Sequence, residues 1–67
     1  MAIKYYKLLD RLNRAEISKE EFRKALGISS ATLAKLSKNQ FVSLDVIDKI
    51  CRYFDCQPGD ILEYYHD

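Results

Sequence analysis

The sequence predicts an all-α domain of five short helices, with a short β pairing of its two ends as an addition. Three observations carry that prediction. Residues 18–38, SKEEFRKALGISSATLAKLSK, read as two short helices broken at a single glycine. Residues 44–54 repeat apolar side chains at helical spacing along their whole length. Turn-forming residues are few, one proline and two glycines in 67 residues, so each marks a boundary.

Tyr5, Leu8, Leu9 and Leu12 stand at i, i+3, i+4 and i+7, with Lys7, Asp10, Arg11, Asn13 and Arg14 opposite, which predicts helix 1 over residues 5–14. Ahead of it, Ile3, Lys4 and Tyr5 read as a short extended arm. Ser18-Lys19-Glu20-Glu21 is a capping box: the serine oxygen can accept from the Glu21 amide while the Glu21 carboxylate reaches back to the Ser18 amide. Helix 2 therefore starts at Lys19, with Phe22, Ala25 and Leu26 inward and Glu20 and Lys24 spaced to pair outside. Gly27 supplies the left-handed residue that ends it. Ile28 then plugs the core, Ser29 caps helix 3 near residues 30–38, and Leu33 and Leu36 are its inner residues.

After the polar turn Asn39-Gln40 and Phe41-Val42, Ser43 caps helix 4. Its apolar stripe is Leu44, Ile47, Ile50, Cys51 and Phe54, and Asp45 with Lys49 and Asp48 with Arg52 stand in the favourable acid-first order. Pro58 suits the first position of a helix, so a short helix 5 is expected over residues 58–62, contributing Ile61 and Leu62. Tyr64 and Tyr65 alternate with Glu63 and His66 in a tail of strand character, which can pair with the Ile3-Lys4-Tyr5 arm.

Size and composition narrow the function. A chain of this length is expected to be one domain, residues 1–67. Beside its core there is little room for a water-excluding catalytic pocket, and no nucleophile paired with a base can be located, so an enzyme is not expected. An apolar fraction of 48% with 31% charged residues belongs to a soluble globular domain. No apolar run approaches the ~18–20 residues of a membrane span, and MAIKYYKLLDRL lacks the apolar core of a signal peptide; a cytoplasmic location follows. Cys51 and Cys56 are five apart with only His66 as a further soft ligand, which forms neither a redox CxxC nor a zinc site within one chain. Reduced, structural cysteines and no metal or cofactor are expected.

Charge is distributed unevenly. Residues 1–40 carry nine Lys/Arg against four Asp/Glu, a balance of +5, whereas residues 41–67 carry two against six, a balance of −4. Such a molecule can turn a basic face to a polyanion while its other end is repelled. Helix 3 is the part best suited to that contact. Its outward positions Ser30, Ala31, Thr32, Lys35 and Lys38 are small or basic, and no acidic residue occurs from Ile28 to Leu44. A helix in the major groove needs small side chains where it approaches base edges, donors that reach the bases, and no carboxylate facing phosphate.

These residues resemble the helix-turn-helix of the Cro and phage-repressor group, the Xre family with the lambda-repressor-like fold. The likeness rests on Ile28-Ser29-Ser30-Ala31-Thr32-Leu33-Ala34-Lys35-Leu36 and on the turn DCQPGD at residues 55–60, and it spans about residues 5–62. It implies that the start of helix 3 meets base edges through Ser30, Ala31 and Thr32, with Lys35 a turn further along. It further implies that Ser18 and Lys19 at the start of helix 2 meet phosphate, and that the loop after helix 3 does so through Lys38, Asn39 and Gln40; Ser29 completes the phosphate-contacting set. One position departs from the family: where alanine commonly allows close helix packing, this chain has Arg23. Either the two helices stand slightly apart or the arginine stem runs outward.

The expected function is therefore a sequence-specific transcriptional regulator that binds double-stranded DNA. A homodimer on a pseudo-palindromic operator is expected, because one small module makes few contacts. Its dimer surface is placed in helix 5 and the tyrosine-bearing tail with Tyr53, Tyr64 and Tyr65; the same tyrosines can instead cover the chain's own core. No small-molecule ligand is expected. The alternative is a protein-interaction module or antitoxin-like accessory regulator on the same fold, working through the acidic C-terminal part.

Overall fold

Three of the four α-helices begin where a serine side chain satisfies backbone groups that a helix terminus leaves open. The computed structural model describes residues 2–66. Among them the order is β1 (Ala2–Lys4), α1 (Tyr6–Arg14), α2 (Lys19–Leu26), α3 (Ser30–Ser37), α4 (Leu44–Phe54), a single 3₁₀ turn (Pro58–Asp60) and β2 (Glu63–Tyr65).

Three serines act as caps. Ser18 Oγ accepts from the Glu21 amide at 3.1 Å while the Ser18 amide donates to Glu21 Oε1 at 3.4 Å, the reciprocal capping box. Ser29 accepts from the Thr32 amide at 3.1 Å and Ser43 from the Val46 amide at 3.3 Å. Helix α1 has no side-chain cap of its own. Its opening amides are satisfied from afar: Tyr5 N–H donates to Asn39 Oδ1 at 2.9 Å and Leu8 N–H to the Ile61 carbonyl at 3.2 Å.

The arm and the tail do pair. β1 and β2 run antiparallel with Ala2 opposite Tyr65, Ile3 opposite Tyr64 and Lys4 opposite Glu63. A Lys7–Glu63 ion pair at 3.0 Å and the edge-on contact of Tyr6 with Tyr65 at 5.9 Å tie this ribbon to α1.

The core consists of Tyr5, Leu8, Leu12, Phe22, Ile28, Leu36, Ile47, Ile50 and Ile61, each expected inward from the sequence, Ile28 as the plug after Gly27 and Ile61 as part of the segment that Pro58 opens. Phe22 sits at its centre, stacked on Phe54 at 6.0 Å and edge-on to Tyr53 at 5.6 Å. The Arg11 guanidinium lies 5.7 Å from the Phe54 ring centroid on the outer side.

Four expectations need correction. The fifth helix is only one 3₁₀ turn, because the Ile61 carbonyl that would continue it is taken by Leu8 N–H and the chain leaves into β2. Leu44, placed on the apolar stripe of α4, is 84% exposed: it lies in the first turn, ahead of the part of the helix that the core covers. Ala25 is exposed whereas Arg23 is half-buried. At ~100° per residue these two flank the Phe22–Leu26 stripe on opposite shoulders, and it is the Arg23 shoulder that is covered. Finally, Glu20 pairs with Arg23, three residues on, rather than being held by Lys24. On α4 the expected pairs form, Asp45–Lys49 at 3.7 Å and Asp48–Arg52 at 3.1 Å.

Candidate nucleic-acid interface

The turn between α2 and α3 is a Schellman motif. Gly27 adopts φ +70°, its amide donates to the Lys24 carbonyl at 3.3 Å, and the Ile28 amide donates to the Arg23 carbonyl at 3.3 Å. The space around Gly27 is open, so the glycine answers to backbone conformation rather than crowding. Buried Ile28 then anchors the turn, and Ser29 starts α3.

Helix α3 ends in the same way, with asparagine in place of glycine. Asn39 has φ +57°, and the Gln40 amide donates to the Lys35 carbonyl at 2.8 Å. Asn39 Oδ1 is the acceptor for Tyr5 N–H, and the Tyr5 hydroxyl donates to the Gln40 carbonyl at 2.8 Å. Burial pushes the Tyr5 phenol above its ordinary pKa, with a backbone hydrogen bond from Val42 opposing. Both ends of α3 are therefore held by the scaffold.

Between those ends Leu33 and Leu36 face inward, and the opposite arc is open. Ser30, Ala31, Lys35 and Lys38 are exposed on it. Thr32 sits at the shoulder, half-buried, with its hydroxyl 3.0 Å from Ser29 Oγ. Ala34, which sequence reasoning did not single out, is exposed near the middle of the arc, where its methyl group leaves the helix backbone approachable. The ~100° rotation per residue applied to the Leu33–Leu36 stripe would have found it.

Of the residues expected at phosphate, Ser18, Lys19, Ser29, Lys38 and Gln40 are exposed. Ser18 and Ser29 spend an oxygen lone pair on their caps, which leaves the hydroxyl proton of Ser18 for an outside acceptor. Asn39 is half-buried with its carbonyl oxygen committed to Tyr5, so only its amide nitrogen faces outward chemistry. That structural use of Asn39 had no local sequence signal, since its partner lies 34 residues away.

Arg23 crosses the turn. Its Nε donates to Glu20 Oε1 at 2.8 Å, Nη2 reaches the same oxygen, and Nη1 donates to the Ile28 carbonyl at 3.3 Å. The hydrogen bond from Arg23 holds the Glu20 carboxyl below its ordinary pKa, against desolvation and with the charges of Arg23 and Lys24 adding, while the hydrogen bond to Glu20 raises that of Arg23. Neither of the two packing alternatives opened by Arg23 describes it fully: the stem runs along the turn and the head is bound there.

Elsewhere, Cys51 and Cys56 are half-buried free thiols, and burial together with the neighbouring Cys56 raises Cys51. No group of three His, Cys, Asp or Glu side chains comes together to hold a metal among the described residues. Among the described residues, no helix is long and apolar enough to cross a membrane. Among the described residues Phe41 and Leu44 are the most exposed large apolar side chains, at 77% and 84%; Phe41 lies in the link from α3 to α4, and Leu44 opens α4.

A family model described as a Cro/C1-type HTH DNA-binding domain matches residues 7–67. An uncharacterized HTH-type transcriptional regulator of Bacillus subtilis (strain 168), YozG, is 38% identical over 58 residues, which cover 84% of this chain and 69% of that protein. The crystal structure of the transcriptional regulator VanUg (Form II) superposes with a TM-score of 0.92 at 42% identity, over 98% of this chain and 88% of that one.

Proposed function

Because this chain belongs to the Cro/C1-type helix-turn-helix DNA-binding family, we propose that residues 1–67 act as one sequence-specific regulator whose α3 reads the major groove. The observation that carries this reading is the open arc of α3, built of small and basic side chains, in an acid-free run from Ile28 to Leu44. In this reading Ser30, Ala31 and Thr32 meet base edges, and Lys35 is the residue that donates to guanine O6 and N7. Ser18, Lys19, Ser29, Lys38, Asn39 and Gln40 meet phosphate and set the register. The family is one of transcriptional regulators rather than enzymes; the protein works in the cytoplasm without a cofactor or small-molecule ligand.

The functional form is a homodimer. Half-sites one DNA turn apart require reading helices ~34 Å from each other. The chain measures 33 × 23 × 19 Å, so two adjacent copies can meet that spacing. Two surfaces offer apolar contact: the tail with Tyr64 and Tyr65, each 40% or more exposed, and the pair Phe41 and Leu44 beside α3. Sedimentation of Tyr64→Ser with Tyr65→Ser, and separately of Phe41→Ser with Leu44→Ser, identifies the surface as the pair whose loss yields monomer. If both pairs leave the mass of the wild type unchanged, neither surface joins the copies.

A gel shift with fragments of the upstream DNA tests the reading itself. Lys35→Ala is expected to weaken binding by about 1–3 kcal/mol and relax preference at one base pair. Lys38→Ala is expected instead to lower the slope of log affinity against log salt by ~0.9, uniformly across sequences. Absence of any shift at low salt would return the protein to the antitoxin-like, protein-binding alternative.

A further inference from the structure

We propose that Arg23 is a positioning residue for DNA reading: with Glu20 it forms a clamp that fixes the Ile28–Ser29 peptide and so sets the direction in which α3 leaves the turn. The inference rests on the reading of α3 as the groove-reading helix and adds the residue that aims it.

Arg23 holds Ile28 from two sides. Its backbone carbonyl accepts from Ile28 N–H at 3.3 Å, and its guanidinium Nη1 donates to the Ile28 carbonyl at 3.3 Å. The plane of the peptide that follows Ile28 is thereby fixed on its oxygen side. Ser29, the next residue, is the cap from which α3 grows, so a rotation of that peptide swings the whole helix. Glu20 fixes the other end of the fork, binding Nε and Nη2. The guanidinium is rigid and planar, so anchoring its Nε and Nη2 donors on one Glu20 oxygen constrains where the third donor, Nη1, can reach; a lysine ammonium on a flexible stem has no such geometry.

The same contacts argue against a direct phosphate role. The Arg23 side chain is only 25% exposed, against 57% for Glu20, and its donors point at Glu20 and the turn. Charge on Arg23 is matched by a carboxylate that travels with it.

The test compares the wild-type chain with Glu20→Ala, Arg23→Ala, Arg23→Lys and the double alanine variant. Each is titrated with duplex fragments of its own upstream DNA and with a shuffled duplex of equal length. The clamp predicts that Glu20→Ala, although it removes a negative charge beside the DNA-facing helices, weakens upstream binding about fivefold or more while shuffled binding holds or rises. Arg23→Ala shows the same selective loss, the double variant is no worse than either single one, and Arg23→Lys does not restore it.

A phosphate contact by Arg23 predicts the reverse signs: Glu20→Ala tightens binding, Arg23→Lys keeps it, and Arg23→Ala lowers the salt slope by ~0.9. Any of these overturns the proposal. So does a loss of melting temperature with the upstream-to-shuffled ratio unchanged where every variant is folded. Residual dipolar couplings of α2 and α3 amides in the DNA-free protein give the angle between the helices. The angle is expected to change in Glu20→Ala and Arg23→Ala, and an unchanged angle overturns the clamp. Failure of the DNA reading shows separately, as a wild-type chain that does not distinguish upstream from shuffled duplex; the angle still decides the clamp.

Discussion

Phe22→Ala is expected to destabilise the protein by about 3–5 kcal/mol, the cost of removing a fully buried aromatic ring from a packed site. Phe22 is 0% exposed and is the ring on which Tyr53 and Phe54 pack. A domain holds roughly 0.05–0.15 kcal/mol per residue of net stability, so for a chain this short the loss takes most of the margin. The unfolding midpoint in urea, followed by far-UV circular dichroism, should fall toward zero denaturant. Phe22→Leu keeps more of the apolar volume and should lose distinctly less. Ala25→Ser, on the exposed side of the same helix, should stay within about 0.5 kcal/mol of the wild type. A Phe22→Ala variant that loses less than about 1 kcal/mol would mean that α2 is held by something other than this aromatic cluster.

Much of this arrangement was legible because it is local. The three serine caps, Gly27 and the ion pairs on α4 each lie within a few residues of their partners, so spacing alone identifies them. The limits have physical causes as well. Leu44 repeats at helical spacing with Ile47, yet periodicity does not say where along a helix the covering surface begins, and the first turn of α4 is uncovered. Asn39 read as a polar turn residue open to phosphate, whereas half of its side chain caps the start of α1 from 34 residues away. Arg23 could not be placed from sequence because two kinds of partner were needed: a carboxylate one turn back and a backbone carbonyl exposed only once the Schellman turn had formed. The family resemblance supplied the fold and the reading proposed for α3, and the departure at Arg23 was visible only against it. What each reading residue contacts is a property of the complex with DNA, which no pattern within one chain displays.

Ser30→Glu is expected to separate folding from binding, with opposite signs. Ser30 is the first residue of α3, exposed, and directly after the Ser29 cap. A carboxylate in the first turn of a helix is favoured by the amides and dipole there, by about 0.3–1 kcal/mol, so the melting temperature should hold or rise slightly. With α3 as the reading helix, the same carboxylate meets base-edge acceptors and phosphates where helix and groove approach most closely. Like-charge juxtaposition at an interface costs several kcal/mol, and each 1.4 kcal/mol is tenfold in affinity. Binding to the upstream fragment should therefore fall by about 100-fold or more. Ser30→Gln has nearly the same shape without the charge and should lose less, and the gap between the two variants should narrow as salt rises. Ala34→Glu, one turn further along the open arc, is expected to fail similarly, whereas Ala25→Glu on α2 should bind with little change. A Ser30→Glu protein that is folded and binds like the wild type would remove α3 as the reader. A loss confined to variants on the α3 arc, with stability intact, locates the reading face on the residues left open between Leu33 and Leu36 on one side and the two Schellman turns at the ends.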